Sequence, residues 1–225
     1  MRQENGELGD GAISAAEAVA AEIREDILAG FLRQGEALRE VALAEAKGVS
    51  RRTIREALLM LDAQRLIDHE RNRGARVRTL VAEDVFDLYR VRRTLELEGA
   101  RNAPLASEAA RAELRVAYAA LDTATVQEES RETVRSDLAF HGAVVGLAGS
   151  QRLSAFYRHI GPEMELALAV IRFGEHQSGL SAEALIAEHR TICDALLARE
   201  VIEAQRAILA HIDSNERFLL GLLAE

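Results

Sequence analysis

Residues 48–61 read Gly-Val-Ser-Arg-Arg-Thr-Ile-Arg-Glu-Ala-Leu-Leu-Met-Leu, and the fold follows from this stretch. Ser50 is a good helix N-cap, because its hydroxyl can accept from the unpaired N–H groups of the first turn. Behind it Ile54, Leu58 and Leu61 fall at i, i+4 and i+7, an apolar stripe along one side of a helix. Arg52, Arg55 and Glu56 lie away from that stripe. Upstream, a short helix fits Val41 to Ala46 and ends at Gly48. Before it, a longer one fits Ala15 to Gly30, with Val19, Ile23 and Ile27 at helical spacing. Gly30 and Gly35 punctuate the turn between them. From Leu66 to Thr79 the period changes to two. Gly74 closes an Asn72-Arg73-Gly74 turn, and Ala75 and Val77 then alternate with Arg76 and Arg78, which predicts a β-hairpin with one basic face.

Helix, helix-turn-helix and hairpin, in that order over residues 13–79, make a winged helix-turn-helix. Its third helix offers two kinds of contact to a DNA duplex. The N–H groups and dipole of its first turn attract phosphate. Its Arg side chains can bond guanine O6 and N7 in the major groove, worth roughly 1–3 kcal/mol of base discrimination each. Arg76 and Arg78 on the hairpin are placed to grip phosphates, which positions a protein without reading sequence. The charge distribution agrees. The whole chain carries −9, yet residues 39–78 carry +4 and residues 80–225 carry −8. Such asymmetry between halves points to nucleic acid bound by one of them.

Residues 1–12 hold three Gly and many charges and read as a flexible tail. After Leu80 every segment reads as helix, over about 83–102, 107–128, 132–148, 151–173, 182–199 and 201–223. The breaks fall at 104–107, at Gly149-Ser150 and from Gly174 to Ser181, where Gly, Pro and Ser collect. The expected architecture is therefore mainly α, a winged helix-turn-helix followed by an antiparallel helical bundle over 80–225. Apolar residues make up 48% of the 225, enough for a sizeable core. The single Cys193 excludes a disulfide framework and any Cys-based zinc ribbon. No apolar run approaches the roughly 18 residues that span a bilayer. The first stretch lacks the basic start and apolar block of a secretory signal. A cytoplasmic protein with no membrane partner is expected.

The bundle's apolar faces carry polar residues. Asp137 and His141, spaced i, i+4, lie in the arc of Val134, Phe140, Val144 and Leu147. His189 lies among Leu185, Ile192, Cys193 and Leu196, and His211 among Ala204, Ile208, Phe218 and Leu222. A buried imidazole or carboxylate is costly unless paired or bound to a metal. Any one of them alone reads as a hydrogen-bonded core residue. Four on the inward faces of three helices form a set suited to Zn²⁺ foremost, with Ni²⁺ or Mn²⁺ as alternatives. Arg92 shares a stripe with Val85, Leu88, Leu95 and Gly99. It reads either as an internal salt bridge with a Glu or as a fork for the carboxylate of a small acid. His159 falls at the margin of an apolar face, His176 in a loop and His69 in the hairpin, and none joins the set.

Two families are resembled at these residues. Leu38-Arg39-Glu40, Leu43-Ala44, the 48–58 string and Asn72-Arg73-Gly74 resemble the GntR-family DNA-binding domain. The resemblance implies DNA contacts at Ser50, Arg51, Thr53, Arg55 and Gly74, with Arg39 a further one. A helical wheel adds Arg52 as the most outward residue, and the hairpin adds Arg76. Lys47 stands where the family usually has an apolar residue. Beyond residue 80, Leu88 to Arg92, Leu95-Glu96, Asp137 with Phe140-His141, the Glu188-to-Leu196 segment and His211 resemble the FCD domain, the effector-binding half of the FadR subfamily. That resemblance implies Asp137, His141, His189 and His211 as metal ligands and Arg92 as an effector contact. Ser150 departs from the family's usual Asn, which touches a helix cap only. Together these imply a homodimeric repressor that binds a palindromic double-stranded operator and responds to a small carboxylate through a divalent metal. A metal-dependent enzyme acting on a small acid and a regulator with a purely structural metal are the alternatives.

Overall fold

The computed structural model describes residues 13–70, 74–127, 130–178 and 182–224. The expected tail over 1–12 and the Asn72-Arg73 part of the expected turn lie outside the described residues. Two compact units form, one up to Arg78 and one from Thr79.

The first unit begins with α1 (Ala15–Leu28), capped by Ser14 and Glu17 in a reciprocal capping box. Its buried residues Ala16, Val19, Ala20, Ile23 and Ile27 repeat every three or four positions. Helix α2 (Glu40–Lys47) stops at Gly48, whose φ of +66° suits a left-handed C-cap. Two residues later Ser50 caps α3 (Arg51–Ala63), its Oγ accepting from the Thr53 N–H at 3.1 Å. Ile54, Ala57, Leu58 and Leu61 bury the inner face of α3. Lys47, the polar residue at an apolar position, finds two acids on α1: its Nζ lies 3.1 Å from Glu22 and 3.2 Å from Asp26.

The hairpin strands are β2 (Ile67–Glu70) and β3 (Gly74–Val77). A two-residue strand, β1 (Ala37–Leu38), pairs with the far side of β3, so the antiparallel order is β1-β3-β2. Ala75 and Val77 are buried as their alternation requires. The expected basic face needs correction. Arg78 is itself buried, its Nη1 3.7 Å from Asp68 across the hairpin. Arg76, opposite Ala37 of β1, donates from Nη1 to the Gly35 carbonyl at 2.9 Å. Asp68 on β2 and the Gly35 carbonyl, just before β1, thus stand as acceptors beside the arginines that alternation alone had sent to solvent.

The second unit is a bundle of α4 (Ala82–Asn102), α5 (Glu108–Val126), α6 (Ser130–Gly146), α7 (Gln151–Ser178), α8 (Ala182–Leu197) and α9 (Val201–Leu223). A 3₁₀ turn, Ala103–Leu105, and the Ser107 cap separate α4 from α5. Helices α4 and α6 cross closely at Gly99, where a Cβ would overlap the Val144 carbonyl. Gly174 does not break α7, which continues to Ser178. A Cβ there would stand 2.5 Å from Leu222 Cδ1, so this glycine serves the packing of α7 on α9. His176, expected in a loop, is consequently helical. Among the described residues no helix is long and apolar enough to cross a membrane.

Candidate metal centre and nucleic-acid interface

The crossing of α4 on α6 brings polar groups from both helices into the bundle interior, and α8 and α9 complete the ring. Asp137 and His141 come from one face of α6, His189 from α8 and His211 from α9. All four are buried, and one potential ligand atom of each lies within 4.8 Å of the others. His189 Nε2 is 3.0 Å from Asp137 Oδ1, and His141 Nε2 is 3.8 Å from Asp137 Oδ2. The His141 and His211 rings stack at 5.1 Å between centroids, with the His189 ring 4.5 Å from that of His211. Phe140 meets His141 and His189 edge to face, each at 5.2 Å, and forms an apolar wall.

Each imidazole is oriented through its other nitrogen. His141 Nδ1 donates to Glu96 Oε2 at 2.7 Å, His189 Nδ1 to the Leu185 carbonyl at 2.8 Å and His211 Nδ1 to Glu188 Oε2 at 2.8 Å. With the proton held on Nδ1 by an acceptor, each Nε2 carries a bare lone pair turned inward. Asn215 donates to the Nε2 of His211 at 3.2 Å, as that tautomer requires. His141 Nε2, His189 Nε2 and Asp137 Oδ2 have no hydrogen-bond partner among the described residues. Burial, and then the charge of Arg92, pushes the His141 pKa down. Burial and the neighbouring imidazoles hold His211 well below its ordinary value. Burial opposes the charge of Asp137, yet the imidazoles and Arg92 hold its carboxyl far below the usual carboxylate range. Neutral imidazoles and an ionised carboxylate are the protonation states that ligate a metal. The three-nitrogen, one-oxygen set therefore fits a divalent ion with room for further oxygen ligands.

Arg92, on α4, is fully buried. Its Nε donates to Glu96 Oε1 at 2.7 Å, while Nη1 and Nη2 have no partner among the described residues. The two readings of Arg92 thus divide between its atoms: an internal salt bridge at Nε, and an open fork at the other two nitrogens. Glu96 spans the site, with one oxygen on Arg92 and the other on His141. Neither its role nor those of Glu188 and Asn215 follow from composition or motif. The available signals were the place of Glu96 and Glu188 in the stretches that resemble the FCD domain, and spacing: Glu96 is i+4 from Arg92, and Asn215 is i+4 from His211.

In the first unit, α3 presents Arg51, Arg52, Thr53 and Arg55 beyond its capped N-terminus. The side chains of Arg51, Arg52 and Arg55 are 64%, 88% and 59% exposed. Arg52 pairs with Glu56 one turn on, at 2.9 Å. Arg55 and Arg51 converge on Glu40, the first residue of α2, and Arg39 beside it is exposed. Ser50's hydroxyl is engaged in its cap and lies 2.8 Å from Thr53 Oγ1. Gly74 is exposed with φ of +79°. Arg76 is drawn toward Gly35 rather than standing free with the α3 arginines.

Residues 15–77 match the gntR family of bacterial regulatory proteins, and residues 87–214 match the FCD domain. The chain is similar to the Nta operon transcriptional regulator of Aminobacter aminovorans, 32% identical over 85% of this chain and 88% of that one. It is similar to the HTH-type transcriptional regulator LutR of Bacillus subtilis (strain 168), 28% identical over 87% of this chain and 97% of that one. A crystal structure from Rhodococcus sp. RHA1, titled as a GntR transcriptional regulator, superposes with a TM-score of 0.77 at 29% identity, covering 93% of this chain and 99% of that one.

Proposed function

This chain belongs to the GntR family and carries an FCD domain, and on that premise we propose that it is a repressor whose bundle holds a divalent metal ion and a small carboxylate effector. It is a transcriptional regulator and not an enzyme. The winged unit binds double-stranded DNA, and two units of a homodimer meet the two halves of a palindromic operator. Arg51, Arg52 and Arg55 approach base edges from the α3 N-terminus. Arg39, Ser50, Thr53 and Gly74 set the register against the backbone, while Arg76, held at the Gly35 carbonyl, serves the wing's own fold.

One observation carries the metal reading. The His141 and His189 Nε2 atoms and Asp137 Oδ2 are buried in one cluster, and none has a hydrogen-bond partner among the described residues. A bound divalent ion supplies the positive charge they lack and offers open positions to effector oxygens; Zn²⁺ suits the set best, with Ni²⁺ and Mn²⁺ also accepted. Arg92 holds the effector carboxylate through Nη1 and Nη2, oriented by the grip of Glu96 on Nε. Effector and DNA favour different states of the dimer, so each weakens the other's binding by the same factor. Release on effector binding is the direction that the family resemblance implies.

Metal analysis of the purified protein tests the centre. Stoichiometric divalent metal is expected in the parent. In His189→Ala most of it is lost and operator binding is kept; unchanged metal in that variant removes His189 from the site. Chelator-stripped protein tests the effector route. Small acids are expected to raise the melting temperature of the metal-loaded form only, and equal shifts in both forms make the metal purely structural.

A further inference from the structure

Helices α5 and α8 pack side by side, and a cleft of about 520 Å³ opens between them. Small-molecule sites run from about 300 to 1,000 Å³, so this one is of ordinary size. Asp122, Thr125 and Val126 line it from the last turns of α5, and Glu183, Ile186 and Arg190 from the start of α8. The spacings are i, i+3, i+4 on α5 and i, i+3, i+7 on α8, so each helix turns one face to the cleft. None of these residues belongs to the metal set.

The cleft is charged differently along its length. Arg190 Nε donates to the Tyr118 hydroxyl at 3.1 Å, which ties the basic end to α5. Its Nη1 and Nη2 make no hydrogen bond among the described residues. Glu183 stands seven residues back along α8, roughly 10 Å away at 1.5 Å per residue. Asp122 stands one turn beyond Tyr118 on α5, toward Thr125. Neither acid makes a hydrogen bond or an ion pair among the described residues. Thr125 is buried, yet its Oγ1 has no hydrogen-bond partner among the described residues. An unpaired buried hydroxyl is costly, and a residue serving packing alone would be better as valine. Buried Ile186 and exposed Val126 give the cleft its apolar surface.

We infer that this cleft is a second small-molecule site and takes a linear ω-amino acid, its primary ammonium among Asp122, Thr125 and Glu183 and its carboxylate on Arg190 Nη1 and Nη2. A primary ammonium has three N–H donors, and the acidic end offers three side chains that accept. A guanidinium with two unengaged nitrogens holds a carboxylate by two parallel bonds. The charges of the ligand must lie apart as those of the cleft do, with methylene groups between them over Ile186 and Val126. An α-amino acid carries both charges on one carbon and cannot reach both ends. A metal ion is the poorer occupant, since Asp122 and Glu183 belong to no group of three or more ligating side chains among the described residues. The inference uses none of the residues assigned to the metal or to the carboxylate effector, and it stands or falls apart from them.

Calorimetric titration of the full-length, zinc-loaded protein with 6-aminohexanoate, glycine, hexylamine and hexanoate tests this. The same titrations on Glu183→Gln and Arg190→Gln, each changing one exposed side chain, locate the binding. Only binding that one of these variants weakens is counted, which separates the cleft from the bundle interior. By that measure 6-aminohexanoate is expected to bind about tenfold tighter than each of the others, which lack the span or one of the charges. Each variant should weaken it about tenfold, with zinc content, the sign of an intact bundle, as in the parent. Hexylamine or hexanoate bound as tightly at the cleft overturns the inference, leaving an apolar groove that reads one charge at most. Glycine bound as tightly overturns the span. Affinity unchanged in both variants, or no binding of 6-aminohexanoate at all, overturns the site itself while leaving the effector reading intact.

Discussion

Glu40 grips Arg55 at two points, Oε1 accepting from Nε at 3.2 Å and Oε2 from Nη2 at 3.0 Å. Arg55 in turn holds the Glu40 carboxyl below its usual range, so the pair is ionised. An acid on a surface that meets phosphates weakens DNA binding by its charge, and its presence there asks for a compensating role. The two-point fork fixes the plane of the guanidinium, which would lower the entropy lost in the base contact proposed for Arg55.

Glu40→Gln is therefore expected to move two affinities in opposite directions. Binding to random duplex should strengthen, because one negative charge has gone from a face that meets phosphate. Preference for the operator should fall about tenfold, within the range of one bidentate base contact. Arg55→Ala should lower operator affinity far more than random-DNA affinity. Fluorescence anisotropy on a selected operator and on a scrambled duplex, at two salt concentrations, measures all four values. Loss of both affinities in Glu40→Gln would make Glu40 a packing residue of α2. Equal losses in Arg55→Ala would make that arginine a phosphate contact.

Glu96 deserves the matching test in the bundle, since its two oxygens hold Arg92 at 2.7 Å and His141 at 2.7 Å. Its charge survives complete burial because His141 and Arg92 lower its pKa against the desolvation cost. Glu96→Gln leaves a buried guanidinium short of its counter-ion and frees the His141 ring to turn. Metal affinity should fall about 10–100-fold, the usual effect of losing such an orienting acceptor. Competition with a chromogenic chelator reads this directly. A retained affinity would show that packing against Phe140 suffices to orient His141.

The metal-free protein should lose stability in mild acid. Burial lowers the folded pKa values of His141 and His211 from the ordinary 6.5. The unfolded chain then binds more protons than the folded one as pH drops below that value. The contribution is complete above the ordinary value and is lost as pH falls toward the depressed ones, at up to about 1.4 kcal/mol per pH unit and group. Thermal melts of chelator-stripped protein between about pH 7.5 and 5.5 should fall steeply. His211→Asn should fall less steeply, having one fewer imidazole to protonate. Identical slopes would mean that His211 is not the group that titrates.

The helical periods and the switch to alternation near Leu66 were legible because burial on one face leaves a period in the sequence. The convergence of Asp137, His141, His189 and His211 was legible for the same reason, as polar residues interrupting apolar stripes. Strand β1 was not, because two residues carry no period. The tether of Arg76 follows from the Gly35 carbonyl, distant in sequence, and Arg78 is buried with Asp68 across the hairpin, which alternation does not reveal. Asp122 and Glu183 read as solvated surface acids until the structure lines one cleft with both. Glycine was ambiguous in the way that matters most for the bundle: Gly149, with φ of +63°, does end a segment, whereas Gly174 reads the same and sits inside α7.

That ambiguity makes a prediction about two alanine substitutions of identical chemistry. A Cβ on Gly99 meets the Val144 carbonyl and, at 3.1 Å, the Val145 Cα, all backbone of α6. A Cβ on Gly174 meets only Leu222, whose Cδ1 at 2.5 Å is the end of a rotatable side chain. Leu222 can change rotamer, whereas α6 must move as a body and carry Asp137 and His141 with it. Gly99→Ala should cost more than the roughly 1–3 kcal/mol typical of overpacking, and should weaken metal binding as well. Gly174→Ala should cost less than that range and leave metal binding unchanged, helped by alanine's better helix propensity. Denaturant unfolding of both variants, with and without added zinc, separates the two outcomes. If Gly174→Ala proves the more damaging, then Leu222 cannot yield, and the contact of α7 with α9 is the tighter joint of the bundle.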